Sequence, residues 1–394
     1  MDGDAQVKDR IVMRWAVGAL IACRLAFVLA SPLEGLRGYG DFFHFYSLAE
    51  IPGWPYFKYW IEFPPIPAFL FEVLYRLAGG QQHVFDYLLF FVVTAADAFN
   101  LALFWQLLRR LRPFSHAWKP LVMYGVVLVG LAYSWWYFDA LAMLPTLLGI
   151  LWLMDGRDKR AGLALGTGIL VKFFPVLVLV VAWKFLERRR AWLVTSLALG
   201  VVLAVYGALW VASPQFTRAS LLSQASKGSW ETIWAMLDGN YRTGNFGPVV
   251  ENLDAEMALV PRGNPAVVPT WMTLLVLGGL GLWRFLRLQG NALGQWVGLL
   301  GLTWSLFFLW SPGWSTQWVL YLLPWVILAL DERLALLLTI ALVTVNLMEW
   351  PLLLSRGWFW SLPLTIGLRT LLLVMLVFLF DEVAQGKTGA KNEG

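Results

Sequence analysis

Residues 11–31, IVMRWAVGALIACRLAFVLAS, form an apolar run long enough to cross a lipid bilayer as one helix. Runs of this kind recur along the whole 394-residue chain, in which 59% of residues are hydrophobic and 14% are charged. Because soluble domains carry roughly 25% charged residues, this composition excludes an ordinary soluble protein. The sequence predicts an all-α polytopic membrane protein with about 11–13 transmembrane helices in a single integral membrane domain, residues 1–394.

Basic residues fall in short clusters between the apolar runs, and the positive-inside rule places such clusters in the cytoplasm. Residues 1–10 and 382–394 then form cytoplasmic tails, and the first helix is retained rather than cleaved as a signal peptide. Residues 32–80 form a first outer loop and residues 213–268 form a large second one. The clusters are Lys8/Arg10/Arg14, Arg109/Arg110/Arg112, Arg157/Lys159/Arg160, Arg188/Arg189/Arg190 and Arg284/Arg287.

Two segments cannot be simple spans if this topology holds. Residues 63–80 would bring Arg109 to the wrong side, so we expect a juxtamembrane helix lying on the outer face and started by Pro64 and Pro65. Residues 161–186 are basic at both ends, so we expect two short helices that meet near Pro175.

An acidic residue follows the first helix in GYGDFFHFYSLAE, residues 38–50. Asp41 is either a solvated loop carboxylate or, because its aromatic neighbours would remove water and raise its pKa, a general base. Near-membrane carboxylates of this kind favour function, and the second interpretation is the hypothesis pursued below.

Three other charged residues have competing interpretations. Glu62 is in the simplest case an exposed acid before a helix N-terminus. Lys172 binds an anionic group such as a phosphate or forms an ion pair with Asp139 or Asp97, because a lysine between two short apolar helices cannot easily reach water. Asp97, in mid-helix, is expected to pair with Arg24, Arg369 or a neighbouring helix in the bundle interior.

Several function classes lack sequence support. There is no phosphate-binding GxxxxGK[ST] loop, no HExxH and no GxSxG in an α/β context, and three histidines with one cysteine disfavour a zinc enzyme. The topology explains the net charge of +5, so no nucleic-acid partner is expected. No cofactor is expected, although a carboxylate-bound divalent cation stays open.

Five motifs, in order, resemble the GT-C superfamily of membrane glycosyltransferases, and more narrowly the polyprenyl-phosphate-mannose-dependent mannosyltransferases that act on phosphatidylinositol mannosides and GPI-type glycolipids. Together they cover most of residues 11–330, while the last two helices carry no signal. The motifs are GYGDFFHFY, WPYFKYWIEFPP, WWYFDALAMLPTLL, GLALGTGILVKFFP and SPGWSTQWVLYLLP.

The resemblance implies a GT-C-like helix bundle that transfers a sugar, mannose in this family, from a polyprenyl-phosphate donor to a glycolipid or glycan acceptor at the extracytoplasmic face of the cell membrane. On this template Asp41 is the catalytic base of an inverting displacement. Trp318 stands where relatives often have Tyr, and the acid that many relatives carry next to Asp41 is replaced by Phe42, which argues against a metal site. The donor would contact Lys172, Gln317, His44 and Asp139, and the acceptor Glu62, Glu231, Tyr241 and Arg242.

Two other functions stay open. A flippase or other transporter of lipid-linked sugars would distribute charges along a transmembrane path, whereas the acids here concentrate at the outer face. A non-catalytic protein of envelope assembly would leave Asp41 as a solvated loop residue.

Overall fold

The computed structural model describes residues 3–31, 33, 42–131, 135–241 and 246–387, and within them the chain is helical with no β-strand. The predicted all-α class is therefore confirmed. The α-helices are α1 Gly3–Ala30, α2 Phe42–Ala49, α3 Pro65–Leu77, α4 Gln82–Leu111, α5 Phe114–Gly130, α6 Asp139–Met154, α7 Asp158–Val171, α8 Leu179–Phe185, α9 Arg188–Ala212, α10 Pro214–Ser226, α11 Ile233–Asp238, α12 Thr270–Arg287, α13 Leu293–Trp310, α14 Val319–Ala329, α15 Glu332–Leu347 and α16 Leu362–Ala384.

Six helices of the described chain are long and apolar enough to cross a membrane, which confirms a multi-pass membrane protein. Three shorter apolar helices accompany them, at Asp139–Met154, Phe174–Phe185 and Thr316–Ala329. The total of 11–13 spans stays a prediction. The six long helices are Val7–Ala30, Gln82–Leu111, Arg188–Ala212, Leu293–Trp310, Glu332–Arg356 and Phe359–Ala384.

Ion pairs gather the basic clusters at one end of the molecule, which we call the basic face. Arg109 at the end of α4 bonds Asp9 of α1 at 2.8 Å, and Arg110 bonds Asp155, after α6, at 2.8 Å. Arg190 of α9 bonds Asp158 of α7 at 2.7 Å. Four of the five clusters thus lie at one end of the molecule, and the other ends of these helices form the opposite face.

Residues 63–80 and residues 161–186 both form the short helices that the positions of the basic clusters predict. Within residues 63–80 the chain forms α3, whose 13 residues reach about 20 Å, short of the ~30 Å hydrocarbon core. Its position on the outer side stays a prediction. Residues 161–186 break into α7, a 3₁₀ turn at Phe174–Val178 and α8. Pro175 sits within the first two positions of that turn, where its missing N–H costs no helical hydrogen bond.

Small residues let α7 pack directly against α9. Gly162 and Gly166 are four residues apart, and a Cβ atom on them would lie 2.8 Å from the carbonyl oxygen of Val194 and 2.7 Å from that of Ala198. The backbones of α7 and α9 are therefore in direct contact at these glycines, with no bulky side chain between them. Small residues have the same role in helix pairs of other membrane proteins.

Two loops that the sequence assigns to the outer side pack together at the opposite face. The Trp60 indole N–H lies 2.9 Å from the carbonyl oxygen of Asp254, and the Asn252 side-chain amide donates to the Trp60 carbonyl at 2.8 Å. The backbone N–H of Ile61 donates to the Ser220 hydroxyl at 3.0 Å. Segment 50–63 and segment 213–268 therefore form one layer over the helix ends.

A buried ion pair links the first helices inside the bundle. Arg24 of α1 bonds Asp97 of α4 at 2.5 Å and donates to the carbonyl oxygen of Leu128 on α5 at 2.8 Å. Asn100, one turn after Asp97, donates to the carbonyl oxygen of Ala140 on α6 at 2.9 Å. Of the partners expected for Asp97, the structure selects Arg24, and both charges are almost fully excluded from solvent.

Loss of the Asp97 carboxylate should therefore be costly. Asp97→Ala leaves the Arg24 charge buried without its partner, so we expect the free energy of unfolding to fall by about 3–5 kcal/mol. Glu332→Ala is the matched control, because its pair with Lys119 is largely exposed and should be worth less than about 1 kcal/mol. Unfolding in detergent micelles measures both variants, and equal losses would contradict the assignment.

Candidate functional site

The central feature of the opposite face is an ion pair between Lys172 and Asp139. Asp139 is the first residue of α6, and Lys172 directly follows α7 in an extended conformation, with φ −160° and ψ 142°. The Lys172 ammonium lies 2.5 Å from Oδ1 of Asp139, whose side chain is 1% exposed. The other carboxylate oxygen, Oδ2, has no hydrogen-bond partner in the described part of the chain. Of the interpretations open for Lys172, the structure shows pairing with Asp139.

A close packing contact brings the two partners together. A Cβ atom on Gly168 would lie 2.9 Å from Pro145 of α6 and 3.0 Å from Pro175. Only a glycine allows both proline rings to pack against α7 at this depth, four residues before Lys172. The helix end, the break at Pro175 and the start of α6 are thereby fixed relative to each other.

Aromatic rings surround the Lys172 ammonium on several sides. A cation near the faces of aromatic rings is attracted by their quadrupoles, and the attraction strengthens when water is excluded. The Lys172 side chain is 15% exposed, so the charge is shielded but still accessible. The ammonium lies 5.1 Å from the ring centroid of Phe138, 5.4 Å from Phe174, 5.6 Å from Trp318 and 5.9 Å from Tyr321.

A second charged pair joins His44 of α2 to Glu62. Nε2 of His44 lies 3.1 Å from Oε1 of Glu62, and the Gln224 side chain donates to the Glu62 carbonyl at 2.9 Å. Burial by itself raises the pKa of the Glu62 carboxyl, but the His44 hydrogen bond and the charges of His44 and Lys227 outweigh burial and lower it. The simplest interpretation of Glu62, an exposed acid, is therefore wrong: the residue is 7% exposed and ion-paired.

One aromatic cluster connects the two pairs. The Phe63 ring, next to Glu62, contacts the Phe138 ring, next to Asp139, with their centroids 5.2 Å apart. Phe45, next to His44, also contacts Phe138 at 5.8 Å. Both pairs therefore border the same apolar wall.

The segment that follows α10 supplies another side of the site. Trp230 contacts Trp318 with a centroid distance of 6.1 Å, and the Lys227 ammonium lies 5.3 Å from the Trp230 ring. Lys227 also acts electrostatically on Glu62. Sequence reasoning missed Lys227, because a lysine in a polar loop gives no signal until the loop is folded over the helix ends.

A buried arginine of the last helix contacts the residues that hold Trp230 in place. Arg369 of α16, 2% exposed, bonds Glu349 at 2.5 Å and donates to the carbonyl oxygen of Glu231. Its guanidinium lies 4.8 Å from the ring of Trp314, whose backbone N–H donates to the Trp230 carbonyl at 3.0 Å. The last two helices, which carry no motif, thus hold the tryptophan side of the site.

Glu231 needs this support because of its backbone. Its φ of +50° lies in the left-handed region, which non-glycine residues adopt at a cost of order 1 kcal/mol or more. The hydrogen bond from Arg369 to the Glu231 carbonyl holds that conformation, and Thr232, the next residue, donates from its hydroxyl to the Pro312 carbonyl at 2.9 Å.

The remaining predicted site residues are placed as follows. Gln317 is buried in a 3₁₀ turn at Thr316–Trp318, beside the Trp318 ring that contacts Lys172. Tyr241 is 46% exposed. Asp41 and Arg242 lie outside the described residues, so their roles stay predictions.

No group of three or more histidine, cysteine, aspartate or glutamate residues within the described chain could hold a metal ion. The absence of a metal and of any other cofactor stays a prediction from the sequence.

Comparison with known proteins gives one structural similarity. No protein-family model matches the chain, and no curated protein matches it. Among solved structures it is similar to the apo crystal structure of the Archaeoglobus fulgidus oligosaccharyltransferase, with 13% sequence identity and a TM-score of 0.45. The match covers 98% of this chain and 57% of that one, so the chain spans little more than half the length of that protein.

The His44–Glu62 pair should set the acid stability of the site. A lowered carboxyl pKa contributes stability that is present above the unfolded-state value and is lost as the pH falls through the lower folded-state value. In His44→Gln, burial dominates and raises the folded-state pKa of Glu62, so the variant should be less stable than the wild type near pH 7 and should lose less stability, or gain some, as the pH falls. Thermal unfolding followed between pH 3 and 7 measures this change in pH dependence. In a Glu62→Gln background, His44→Gln should leave the acid limb unchanged, and a shift there would assign the effect to another group.

Substitutions in the Arg369–Glu349 pair should distinguish its contribution to stability from the role of Arg369 in positioning the loop at Glu231. Either Arg369→Leu or Glu349→Leu alone leaves a buried unpaired charge and should cost about 3–5 kcal/mol, whereas the double variant should recover most of that loss. The double variant still lacks the bond to the Glu231 carbonyl, so its near-ultraviolet circular dichroism, to which Trp230 and Trp314 contribute, should remain altered. A fully restored spectrum would show that Arg369 does not position this loop.

Proposed function

We propose that the protein is a membrane glycosyltransferase that transfers a sugar from a polyprenyl-phosphate donor to a glycolipid or glycan acceptor at the extracytoplasmic face. The observation that carries this proposal is the shielded Lys172–Asp139 pair, which presents an accessible ammonium among aromatic rings at the face opposite the basic clusters. Mannose is the sugar that the family resemblance implies.

The Lys172 ammonium suits a donor phosphate. An ammonium has three donors, and Asp139 occupies one of them in a fixed direction. A phosphate oxygen that bonds the same ammonium forms a charge-assisted hydrogen bond, which is strong where water is largely excluded. Asp139 acts here as a positioning residue that holds the lysine.

The surrounding rings suit the rest of the donor. Trp318 and Phe138 flank the ammonium, and Trp230 continues the same aromatic surface into the outer segment. Flat apolar faces beside a phosphate site can bind the apolar face of a sugar ring or the first carbons of the lipid. In the proposed complex the anomeric carbon lies between the phosphate site and the segment that carries Trp230.

The proposed reaction is a single displacement. The acceptor hydroxyl attacks the anomeric carbon, the bond from that carbon to the phosphate oxygen breaks, and the phosphate leaves with the electron pair, stabilised by Lys172. The acceptor proton passes to Asp41, which acts as the general base. One displacement without a covalent intermediate inverts the configuration at the anomeric carbon.

The acceptor is proposed to enter beside Glu62 and Lys227. His44, which the resemblance assigns to the donor, is proposed to contact the acceptor instead, because it bonds Glu62. The ionised Glu62 carboxylate and its hydrogen-bonded His44 can accept and donate hydrogen bonds to sugar hydroxyl groups. Glu231, Tyr241 and Arg242 of the outer segment are proposed to frame the same acceptor.

Two substitutions test the proposal in purified protein supplied with a polyprenyl-phosphate sugar. Asp41→Asn should lower transfer by about 100- to 10,000-fold while donor binding is retained, because only the proton acceptor is lost. Lys172→Met should weaken donor binding itself. Lys119→Met, an exposed lysine of the basic face, is the control and should change neither.

The outcomes distinguish the competing functions. Full transfer by Asp41→Asn would remove that residue as the base, and unchanged donor affinity in Lys172→Met would remove the phosphate role. Movement of the lipid-linked sugar across vesicles without transfer would identify a transporter instead.

A further inference from the structure

A basic cavity of about 640 Å³ opens on the face away from the proposed sugar site. Its acid, Asp158, is already bonded twice by Arg190, at 2.7 and 2.9 Å. Lys159 and Arg160 have no ion-pair partner in the described chain, so the cavity carries uncompensated positive charge. The lining consists of Gly156, Arg157, Asp158, Lys159, Arg160 and Leu193.

An apolar groove of about 780 Å³ begins at the same place. It runs along α6 and α7, whose 16 and 14 residues reach about 24 and 21 Å, roughly three-quarters of the ~30 Å hydrocarbon core. Arg160 lines both the groove and the basic cavity, and it is the one charged residue among the thirteen that line the groove. The groove ends towards Ile66 and Leu70 of α3, which are apolar.

We infer that this continuous surface binds an anionic glycerophospholipid from the leaflet at the basic face. The phosphate and its glycerol would lie against Lys159 and Arg160, and one acyl chain would lie in the groove between α6 and α7. An amphiphile fits in one orientation only, because the cations are at one end of the groove and its other end is apolar. Basic pockets beside membrane helices bind anionic head groups in this way.

The charge balance favours an anionic lipid over a zwitterionic one. A phosphatidylcholine head group brings its own ammonium, which would meet the same uncompensated cations that attract the phosphate. An anionic head group such as phosphatidylglycerol adds no positive charge. Each Lys or Arg near an anionic surface contributes about 1 kcal/mol, so the two residues together give about 30-fold in affinity.

The test compares phosphatidylglycerol with phosphatidylcholine bound to the full-length protein, counted by native mass spectrometry after titration of each lipid into detergent. We expect preferential binding of phosphatidylglycerol, and about 30-fold weaker binding in the double variant Lys159→Gln/Arg160→Gln. The matched control is Arg188→Gln/Arg189→Gln, which removes two exposed charges of the same face that do not line the cavity and should retain binding.

A second variant tests the groove. Ala164→Phe places a ring among the groove-lining residues without changing the basic cavity, and should also weaken phosphatidylglycerol binding. Equal loss in the two charge variants, equal affinity for both lipids, or unchanged binding in Ala164→Phe would overturn the inference. Weakened binding of a polyprenyl phosphate in Ala164→Phe, with phosphatidylglycerol binding intact, would assign the groove to that lipid instead. None of these results depends on sugar transfer.

Discussion

A lysine at the end of one short helix and an aspartate at the start of its neighbour set the arrangement of the whole opposite face. A charge at this depth is tolerated only when it is paired or faces a cavity, so the Lys172–Asp139 pair constrains where α7 must stop and where α6 must begin. The chain meets that constraint with a proline break after the lysine. The loop segments that carry Phe63 and Trp230 then pack around a cation whose side chain is 15% exposed.

The two faces of the molecule differ in how they use charge. At the basic face, arginines bond carboxylates of neighbouring helices, and the side chains are partly exposed. Such ion pairs contribute modestly to stability. The main information that these basic residues carry is the orientation of the helices in the membrane. At the opposite face, His44, Glu62, Asp139 and Lys172 are packed among aromatic rings. Burying the charges of the opposite face costs free energy. Charged groups that are buried at a cost beside an accessible site indicate function more strongly than the exposed ion pairs of the basic face do.

Much of the fold follows from local sequence. Apolar runs, basic clusters and prolines predict where helices cross, where α3 lies and where α7 breaks, because each depends on the immediate cost of burying charge or losing a backbone hydrogen bond. The sequence also limits the expected partners of Asp97 and Lys172 to a few candidates each, and these include the partners observed, Arg24 and Asp139. Lys227 and the Arg369–Glu349 pair could not be predicted in the same way. They matter through contacts between segments more than a hundred residues apart, such as that of Arg369 with the carbonyl of Glu231. A backbone carbonyl is present at every residue, so the sequence does not show which one accepts the hydrogen bond.

Gly168 makes this arrangement sensitive to substitution. It binds no ligand and carries no charge, yet two proline rings occupy the space that any side chain would need. Adding one methyl group there would push α6 and α7 apart and carry Asp139 away from Lys172. The spacing of the Lys172–Asp139 pair therefore depends on a neighbouring glycine that carries no charge and binds neither partner.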